Sequence, residues 1–145
     1  MRGILFRGKR IDVENTWAHG FYAKSPSGNA YITETVMGAA SPKPVYPDSI
    51  GQYTGLIDCR NNPIYEGDIL SGPILGAHGI VRYGSHPPTG SHPNDTDLGF
   101  YIEWVFDGPY DPAWRNDIGF WINFDDSCCV VGNIYDNMRL LEVKS

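Results

Sequence analysis

The sequence GQYTGLIDCRNNPIYEGDIL (residues 51–70) places two apolar segments on either side of a turn-rich run. The first apolar segment covers residues 51–57 and the second covers residues 64–70. Between them, DCRNNP supplies the Asp, Asn and Pro residues that favour tight turns. Two apolar segments joined by such a turn predict an antiparallel β-hairpin.

Further strands are predicted towards the C-terminus, where apolar residues alternate with other residues. In residues 100–106 and 118–124 every even position is apolar. Side chains two residues apart lie on the same face of a strand, so each segment predicts one buried face. The residues that we expect to share one core are Phe100, Ile102, Trp104, Phe120, Ile122 and Phe124.

The whole chain has a composition typical of a mainly β protein with many turns and little helix. It contains 145 residues, 17 of them Gly and 11 Pro. We predict a β-rich N-terminal subdomain over residues 1–45, followed by a second β part over residues 46–145. The short antiparallel strands of residues 51–145 should form a small barrel or a strongly bent sheet, because either form hides the strand edges. Long loops are predicted at residues 84–97 and 107–117. The prolines in residues 38–49 predict a linker that no regular element crosses.

Charge is unevenly distributed along the chain. Residues 1–60 carry seven Lys or Arg and five Asp or Glu, whereas residues 61–145 carry four and twelve. A protein that binds a phosphate backbone needs a basic surface, and the second part has the opposite sign. The N-terminal cations form a possible basic patch, made of Arg2, Arg7, Lys9 and Arg10. We interpret this patch as a solvated surface, and nucleic-acid binding through it is the alternative.

The three cysteines do not have the pattern of a disulfide framework. They are Cys59, Cys128 and Cys129, an odd number with two of them adjacent. Neighbouring strand residues point to opposite faces, so Cys128 and Cys129 should diverge, and at least one should be a small buried residue. Unpaired cysteines indicate an intracellular protein. A vicinal redox pair or a metal site is the less favoured alternative.

No arrangement of residues points to a particular reaction. Glu66 and Asp68 would share a strand face as an acid–base pair does, but Gly67 favours a structural turn instead. His86 and His92 lie in one loop with two aspartates, at a spacing that matches no strong metal motif. We therefore predict no enzyme activity, no metal site and no cofactor.

Aromatic residues are the one enriched class that could form a binding site. They make up 13% of the chain, and Tyr101, Trp114 and Trp121 are predicted to face outward or to lie in a loop. Exposed aromatic side chains suit an interface with another protein. The alternative is that they pack between the two parts of the chain.

Several segments together resemble the YopX family of small phage and prophage proteins. The matching segments are residues 51–70, Gly79–Tyr83 (GIVRY), Gly99–Trp104 (GFYIEW), Val131–Asn137 (VGNIYDN) and the N-terminal ILFR, Trp17 and GFY. This resemblance implies a C-terminal barrel of the SH3-like type, and it implies no established activity.

Together with the composition, the resemblance leads to one functional expectation. We expect a phage- or prophage-encoded, non-enzymatic module that acts in the cytoplasm of the host cell. Its partner should be a protein of the phage or host, or a second copy of the chain. Nucleic acid is the less favoured partner, and no segment reaches the roughly 18 apolar residues of a membrane span.

Overall fold

The structure, a computed structural model, describes residues 5–71, 78–86, 97–105, 116–118, 122 and 128–141. The chain forms two compact units, unit 1 (Met1–Tyr53) and unit 2 (Thr54–Ser145). Both consist of antiparallel strands, which confirms the prediction of a mainly β protein. The predicted domain boundary between residues 45 and 46 stays a prediction.

Unit 1 is an antiparallel sheet with the strand order β4-β3-β2-β1-β5. Its connections are tight turns. Met37 and Gly38 join β3 to β4 with positive φ angles of 50° and 81°, the conformation that two-residue hairpins favour. The strands are β1 (Phe6–Lys9), β2 (Trp17–Lys24), β3 (Ala30–Val36), β4 (Ala39–Val45) and β5 (Gly51–Ile57).

The proline-rich segment forms a strand, so the prediction that no regular element crosses residues 38–49 is wrong. Strand β4 contains Pro42 and Pro44 and pairs with β3 over seven residue pairs. Because β4 lies at the edge of the sheet, prolines that lack an N–H group are tolerated there. A short 3₁₀ helix, η1 (Pro47–Ser49), follows it.

In the described part of unit 1, the core contains only a few buried side chains, and two of them are alanine. Its buried residues are Ala18, Ala30, Ile32 and Val45, with Phe6 and Ile50 packed against them. Gly8 lies directly against Val45: a Cβ atom at Gly8 would be 2.9 Å from the Val45 Cβ atom. An isolated bridge between Arg10 and Val45 brings the end of β4 back to the region of β1.

Unit 2 contains a second antiparallel sheet with the order β10-β9-β8-β7-β11. Strand β5 continues into unit 2 and is followed by β6 (Pro63–Tyr65), as the predicted hairpin requires. The strands of the second sheet are β7 (Asp68–Ser71), β8 (His78–His86), β9 (Asp97–Val105), β10 (Asn116–Asp117) and β11 (Cys129–Asn133), and a 3₁₀ helix, η2 (Met138–Leu141), follows.

Strands extend into both predicted loops of unit 2. Strand β8 pairs with β9 from His78 opposite Val105 to His86 opposite Asp97, so both ends of the predicted loop 84–97 are strand. Strand β10 occupies the last two residues of the predicted loop 107–117. The middle of each loop lies outside the described residues.

The core of unit 2 contains larger side chains than that of unit 1. The buried members are Ile64, Leu70, Val81, Ile102, Trp104, Ile118 and Cys128. Ile102 and Trp104 are completely buried and Phe100 packs against them, which confirms the inward face predicted from the alternation in β9.

The second alternating segment, residues 118–124, is described at two positions only, and at both of them it differs from its prediction as a strand. Its two described residues, Ile118 and Ile122, have helical backbone, and both pack into the core of unit 2. The burial of these two isoleucines therefore does not depend on the strand that the alternation predicted. Phe120 and Phe124 lie outside the described residues.

Neither sheet closes on itself in the described part of the chain, so the SH3-like barrel stays a prediction. Within the same residues, no helix is long and apolar enough to cross a membrane.

Candidate interaction surface

Strands β1 and β2 place cationic and aromatic side chains on one face of unit 1. Arg7 lies opposite His19 and Lys9 lies opposite Trp17 in the β1–β2 ladder. Directly opposite residues project to the same side of a sheet, and Phe21 follows on that side two residues after His19. We call this surface the aromatic–basic face.

An arginine stacked on a tryptophan lies at the centre of the aromatic–basic face. The Arg7 guanidinium carbon is 4.9 Å from the Trp17 ring centroid, a distance at which a cation is attracted to the face of the ring. Phe21 is 55% exposed. The face therefore combines an ordered cation–aromatic pair with an apolar side chain open to solvent.

His19 does not add a positive charge to this face near neutral pH. Burial lowers the pKa of His19, and the nearby Arg7 cation lowers it further, against a raising effect of Glu34. A His pKa below its usual value of about 6.5 leaves the imidazole neutral at pH 7. The positive charge of the face therefore comes from Arg7 and Lys9.

The structure brings together only part of the predicted basic patch. Arg10 donates two hydrogen bonds to the Asp12 carboxylate, at 2.9 and 2.8 Å. This contact raises the pKa of Arg10 and lowers the pKa of Asp12. Arg10 is thus paired with an acidic residue, and Arg2 lies outside the described residues, which leaves Arg7 and Lys9 on the shared face.

The predicted aromatic site is described at only one of its three residues. Tyr101 is half-buried on β9, opposite Arg82. Arg82 in turn forms an ion pair with Glu103, with an N–O distance of 3.2 Å. Trp114 and Trp121 lie outside the described residues.

The aromatic–basic face was missed by the sequence analysis, although a signal for it exists. Trp17, His19 and Phe21 alternate along β2, and Arg7 and Lys9 alternate along β1. Alternation of this kind on two neighbouring strands predicts a shared face. What the sequence lacks is the register that sets Arg7 opposite His19.

Unit 2 also exposes apolar side chains, near the far ends of β8 and β9. Tyr83 is 52% exposed and Leu98 is 70% exposed. Tyr83 contacts Phe100 edge to face, with 5.1 Å between the ring centroids. Tyr83 and Leu98 serve as a comparison for the aromatic–basic face. Both are exposed, and among the described contacts neither lies against an arginine as Trp17 lies against Arg7.

The Glu66–Asp68 pair has the structural role that was favoured for it. Gly67 adopts a φ of 91°, which strongly favours glycine. Asp68 is 1% exposed, and its Oδ2 atom accepts a hydrogen bond of 2.8 Å from the Tyr65 N–H group. The Gly67 carbonyl accepts from Ile134 N–H at 2.8 Å, so this turn also anchors the segment after β11.

The VGNIYDN segment likewise forms a turn held by its own side chains. The Asn133 Oδ1 atom accepts hydrogen bonds from the N–H groups of Tyr135 and Asp136, at 3.0 and 2.8 Å. Asn137 Oδ1 accepts from the Asn133 N–H group at 3.1 Å. A Cβ atom at Gly132 would lie 2.7 Å from Asn137 Oδ1, so the turn requires glycine there.

Cys59 and Cys129 form a disulfide, and the prediction of unpaired cysteines is wrong at these two positions. They are 70 residues apart, with 5.3 Å between their Cα atoms. Strand pairing in the fold brings these distant residues together, and their spacing in the sequence carries no sign of it. Cys128 keeps its thiol and is 2% exposed, which confirms the predicted small buried residue.

A buried carboxylate lies beside the disulfide. Asp58 Oδ1 accepts hydrogen bonds from the N–H groups of Arg60 and Asn62, both at 2.8 Å. Asp58 Oδ2 accepts from the Val130 N–H group of β11 at 2.9 Å. Burial raises the pKa of Asp58, but the hydrogen bonds from Val130, Asn62 and Arg60 lower it by more, so the net pKa lies below its usual value.

In the part of the chain that the structure describes, no group of three His, Cys, Asp or Glu residues could hold a metal ion. The side chains of His86 and His92 lie outside that part.

A family model described as YopX protein matches residues 6–142. No curated protein is significantly similar to the chain. The family match covers nearly the whole sequence, so the chain belongs to the YopX family.

Proposed function

We propose that this member of the YopX family is a non-enzymatic protein-interaction module. It is encoded by a phage or prophage and acts in the cytoplasm of the host cell. The observation that carries the proposal is the aromatic–basic face, on which Arg7 stacks over Trp17 beside the exposed Phe21.

Two residues of this face, Arg7 and Trp17, are of types that contribute strongly to protein–protein binding. Trp, Tyr and Arg are enriched among the residues whose truncation weakens an interface most. Stacking on Trp17 restricts the Arg7 side chain before a partner binds, which reduces the entropy lost on binding. With two cations and an exposed phenyl ring, the face suits an acidic protein surface that also offers an apolar side chain.

Two buried carboxylates in the described part of unit 2, Asp58 and Asp68, have structural roles that suit a non-enzymatic protein. Asp58 and Asp68 accept hydrogen bonds from backbone N–H groups. A general acid or base works best with a pKa near the operating pH, whereas the pKa of Asp58 lies below its usual value. Asp58 therefore remains ionised at neutral pH and serves as an acceptor that holds a turn.

One observation favours nucleic acid as a second candidate partner. Cations and aromatic rings share the aromatic–basic face, and proteins that bind single strands combine these two residue types. Against it, Arg10 is paired with Asp12, and Arg7 and Lys9 would neutralise about two phosphates, which gives weak binding at cellular salt.

The proposal is tested by capturing partners from infected or prophage-bearing host cells with three matched proteins. These are the unmodified chain, Phe21→Ser on the aromatic–basic face, and Leu98→Ser, which removes an exposed apolar side chain from unit 2. We expect a protein captured by the unmodified chain and by Leu98→Ser to be lost with Phe21→Ser. Equal capture by all three would contradict a role for this face.

A parallel titration separates the two candidate partners. Labelled single- and double-stranded DNA are added to the protein at about 0.15 M salt, the ionic strength of the cell. We expect no saturable binding with a Kd below the micromolar values that are typical of non-specific contacts. Tighter binding that is lost on replacing Arg7 and Lys9 with Gln would favour nucleic acid. Size-exclusion chromatography of the same samples tests whether the partner is a second copy of the chain.

A further inference from the structure

We propose that Cys59 and Cys129 form a thiol–disulfide redox site, which changes between disulfide and dithiol while unit 2 stays folded. This inference is independent of the aromatic–basic face. It stands on the disulfide itself, on the exposure of its two residues, and on hydrogen bonds that join the same two segments of chain.

The disulfide lies where a reductant can reach it. Cys59 is exposed in the turn between β5 and β6, and Cys129 is half-buried on β11. Strand β11 ends the order of its sheet and pairs with β7. A thiolate can therefore approach the Cys59 Sγ atom from solvent, whereas Cys128, 2% exposed, is shielded from the same reagent.

Hydrogen bonds join the same turn to the same strand without the disulfide. Asp58 Oδ2 accepts from the Val130 N–H group at 2.9 Å, and the Cys59 N–H group donates to the Cys128 carbonyl at 3.0 Å. The bonded groups belong to Asp58 and Cys59 in the turn and to the two sequence neighbours of Cys129, Cys128 and Val130. Reduction removes the covalent link and leaves these contacts in place, so the fold does not depend on the oxidised state.

Asp58 is suited to hold the turn in both states. Its carboxylate also accepts hydrogen bonds from Arg60 and Asn62 within the turn. Hydrogen bonds to an ionised acceptor are stronger than those between neutral groups. With the turn closed by Asp58, Cys59 stays near Cys129 after reduction, and the disulfide can form again without a search through unfolded conformations.

The reaction is an exchange with a dithiol, such as dithiothreitol or the active site of a dithiol oxidoreductase. One thiolate of the reductant attacks Cys59 Sγ, the S–S bond breaks, and Cys129 leaves as a thiolate that takes up a proton. The second thiolate of the reductant then displaces Cys59, which leaves as a thiol. The reductant becomes a disulfide, so two electrons and two protons pass to the protein.

A reversible link also agrees with the proposed location. Stable disulfides are rare in the reducing cytoplasm, where those that do form are mostly transient or redox-sensing. The Cys59–Cys129 pair meets that description if both of its states are folded.

The first experiment equilibrates the whole protein in glutathione buffers from fully oxidising to fully reducing. Samples are quenched in acid, unfolded and alkylated, and mass spectrometry counts the modified cysteines while near-ultraviolet circular dichroism of parallel samples reports packing. We expect the count to rise from one cysteine to three with the dichroism retained. A count of three at every ratio, or loss of the dichroism on reduction, would overturn the proposal.

The second experiment uses single cysteine variants to test access. In Cys129→Ser the remaining Cys59 thiol should react with a soluble disulfide reagent about tenfold or more faster than Cys128 does, because reaction requires an exposed thiolate. Equal rates would contradict the assignment of Cys59 as the attacked atom.

The third experiment tests the role of Asp58 with the Asp58→Asn variant. Asparagine keeps the shape of the side chain but places an amide N–H₂ group where one carboxylate oxygen accepted. Oxidised Asp58→Asn should keep its near-ultraviolet dichroism, and reduced Asp58→Asn should lose part of it, unlike the reduced unmodified protein. If the reduced variant is as ordered as the reduced unmodified protein, Asp58 does not hold the fold in the dithiol state.

Discussion

Unit 1 and unit 2 are both antiparallel β structures, but different interactions hold them together. Unit 1 buries two alanines, one valine and one isoleucine, and its strands lie so close that Gly8 packs directly on Val45. Unit 2 buries Trp104 and several branched side chains. It also has a disulfide and a buried carboxylate, Asp58, that link its β5–β6 turn to β11.

The two units show two ways in which a small β structure is stabilised. Small side chains bury little apolar area and therefore contribute little hydrophobic stabilisation. Unit 1 relies more on strand pairing and on close packing at glycine, which has no side chain to keep neighbouring groups apart. In unit 2, large side chains bury more area, and the crosslink restricts the unfolded chain. The exposed aromatic–basic face lies on unit 1.

The largest expected effect distinguishes the two tryptophans. Trp104→Ala should lower the free energy of unfolding by roughly 3–5 kcal/mol, because it leaves a cavity in the core of unit 2. Trp17→Ala should cost about 1 kcal/mol, for the contact with Arg7. Urea denaturation followed by circular dichroism measures both, and equal costs would mean that the two environments do not differ as described.

Loss of the disulfide should have the next largest effect. Replacing Cys59 with Ser removes a link that closes a loop of 70 residues, and the expected cost is about 2–4 kcal/mol because the unfolded chain gains freedom. Thermal denaturation with and without dithiothreitol is the measurement. The reductant should lower the melting temperature of the unmodified protein and leave that of Cys59→Ser unchanged.

Asp58→Asn should cost about 1–3 kcal/mol at pH 7, the range for a buried hydrogen bond left incomplete. The pKa of Asp58 is lower in the folded state than in the unfolded state. Its stabilising effect is therefore complete above the unfolded pKa of about 3.9 and is lost as the pH falls through the folded pKa. As the pH is lowered, the free energy of unfolding should fall less steeply for Asp58→Asn than for the unmodified protein. Denaturation measured at a series of acidic pH values checks this.

In unit 1, Gly8→Ala should cost about 1–3 kcal/mol because the added Cβ atom would collide with Val45. Val45→Ala alone should also destabilise, by loss of buried methyl groups. Combined, the two changes should cost less than their sum, since the smaller residue 45 makes room for the larger residue 8. Strictly additive costs in a double-mutant cycle would contradict direct packing between the two residues.

The smallest effect on stability is expected on the aromatic–basic face. Phe21→Ser should change the free energy of unfolding by less than about 0.5 kcal/mol, as exposed substitutions usually do, and Leu98→Ser is its matched control in unit 2. Chemical denaturation of both variants is needed before any loss of partner binding is interpreted. A large loss of stability in Phe21→Ser would mean that this ring packs within unit 1.

Local chemistry made several elements predictable from the sequence. The turn at Gly67 follows from the conformational freedom of glycine, and the turn over residues 58–62 follows from side chains that bind their own backbone. The inward positions in β9 follow from the alternation of side chains in a strand. The family resemblance rests on these turn segments together with strand segments such as GIVRY and GFYIEW, and it implies no established activity.

Tertiary structure decided the features that depend on residues far apart in the sequence. Whether a strand lies at an edge determines whether Pro42 and Pro44 are tolerated in it, and no local pattern reveals that position. The Cys59–Cys129 link and the stacking of Arg7 on Trp17 depend on the strands that bring these residues together. Arg10 forms an ion pair with Asp12, which neutralises its charge within the predicted basic patch. The sequence determines which side chains are present and how they alternate along a segment. Strand pairing and side-chain burial come from long-range contacts that only the folded chain makes.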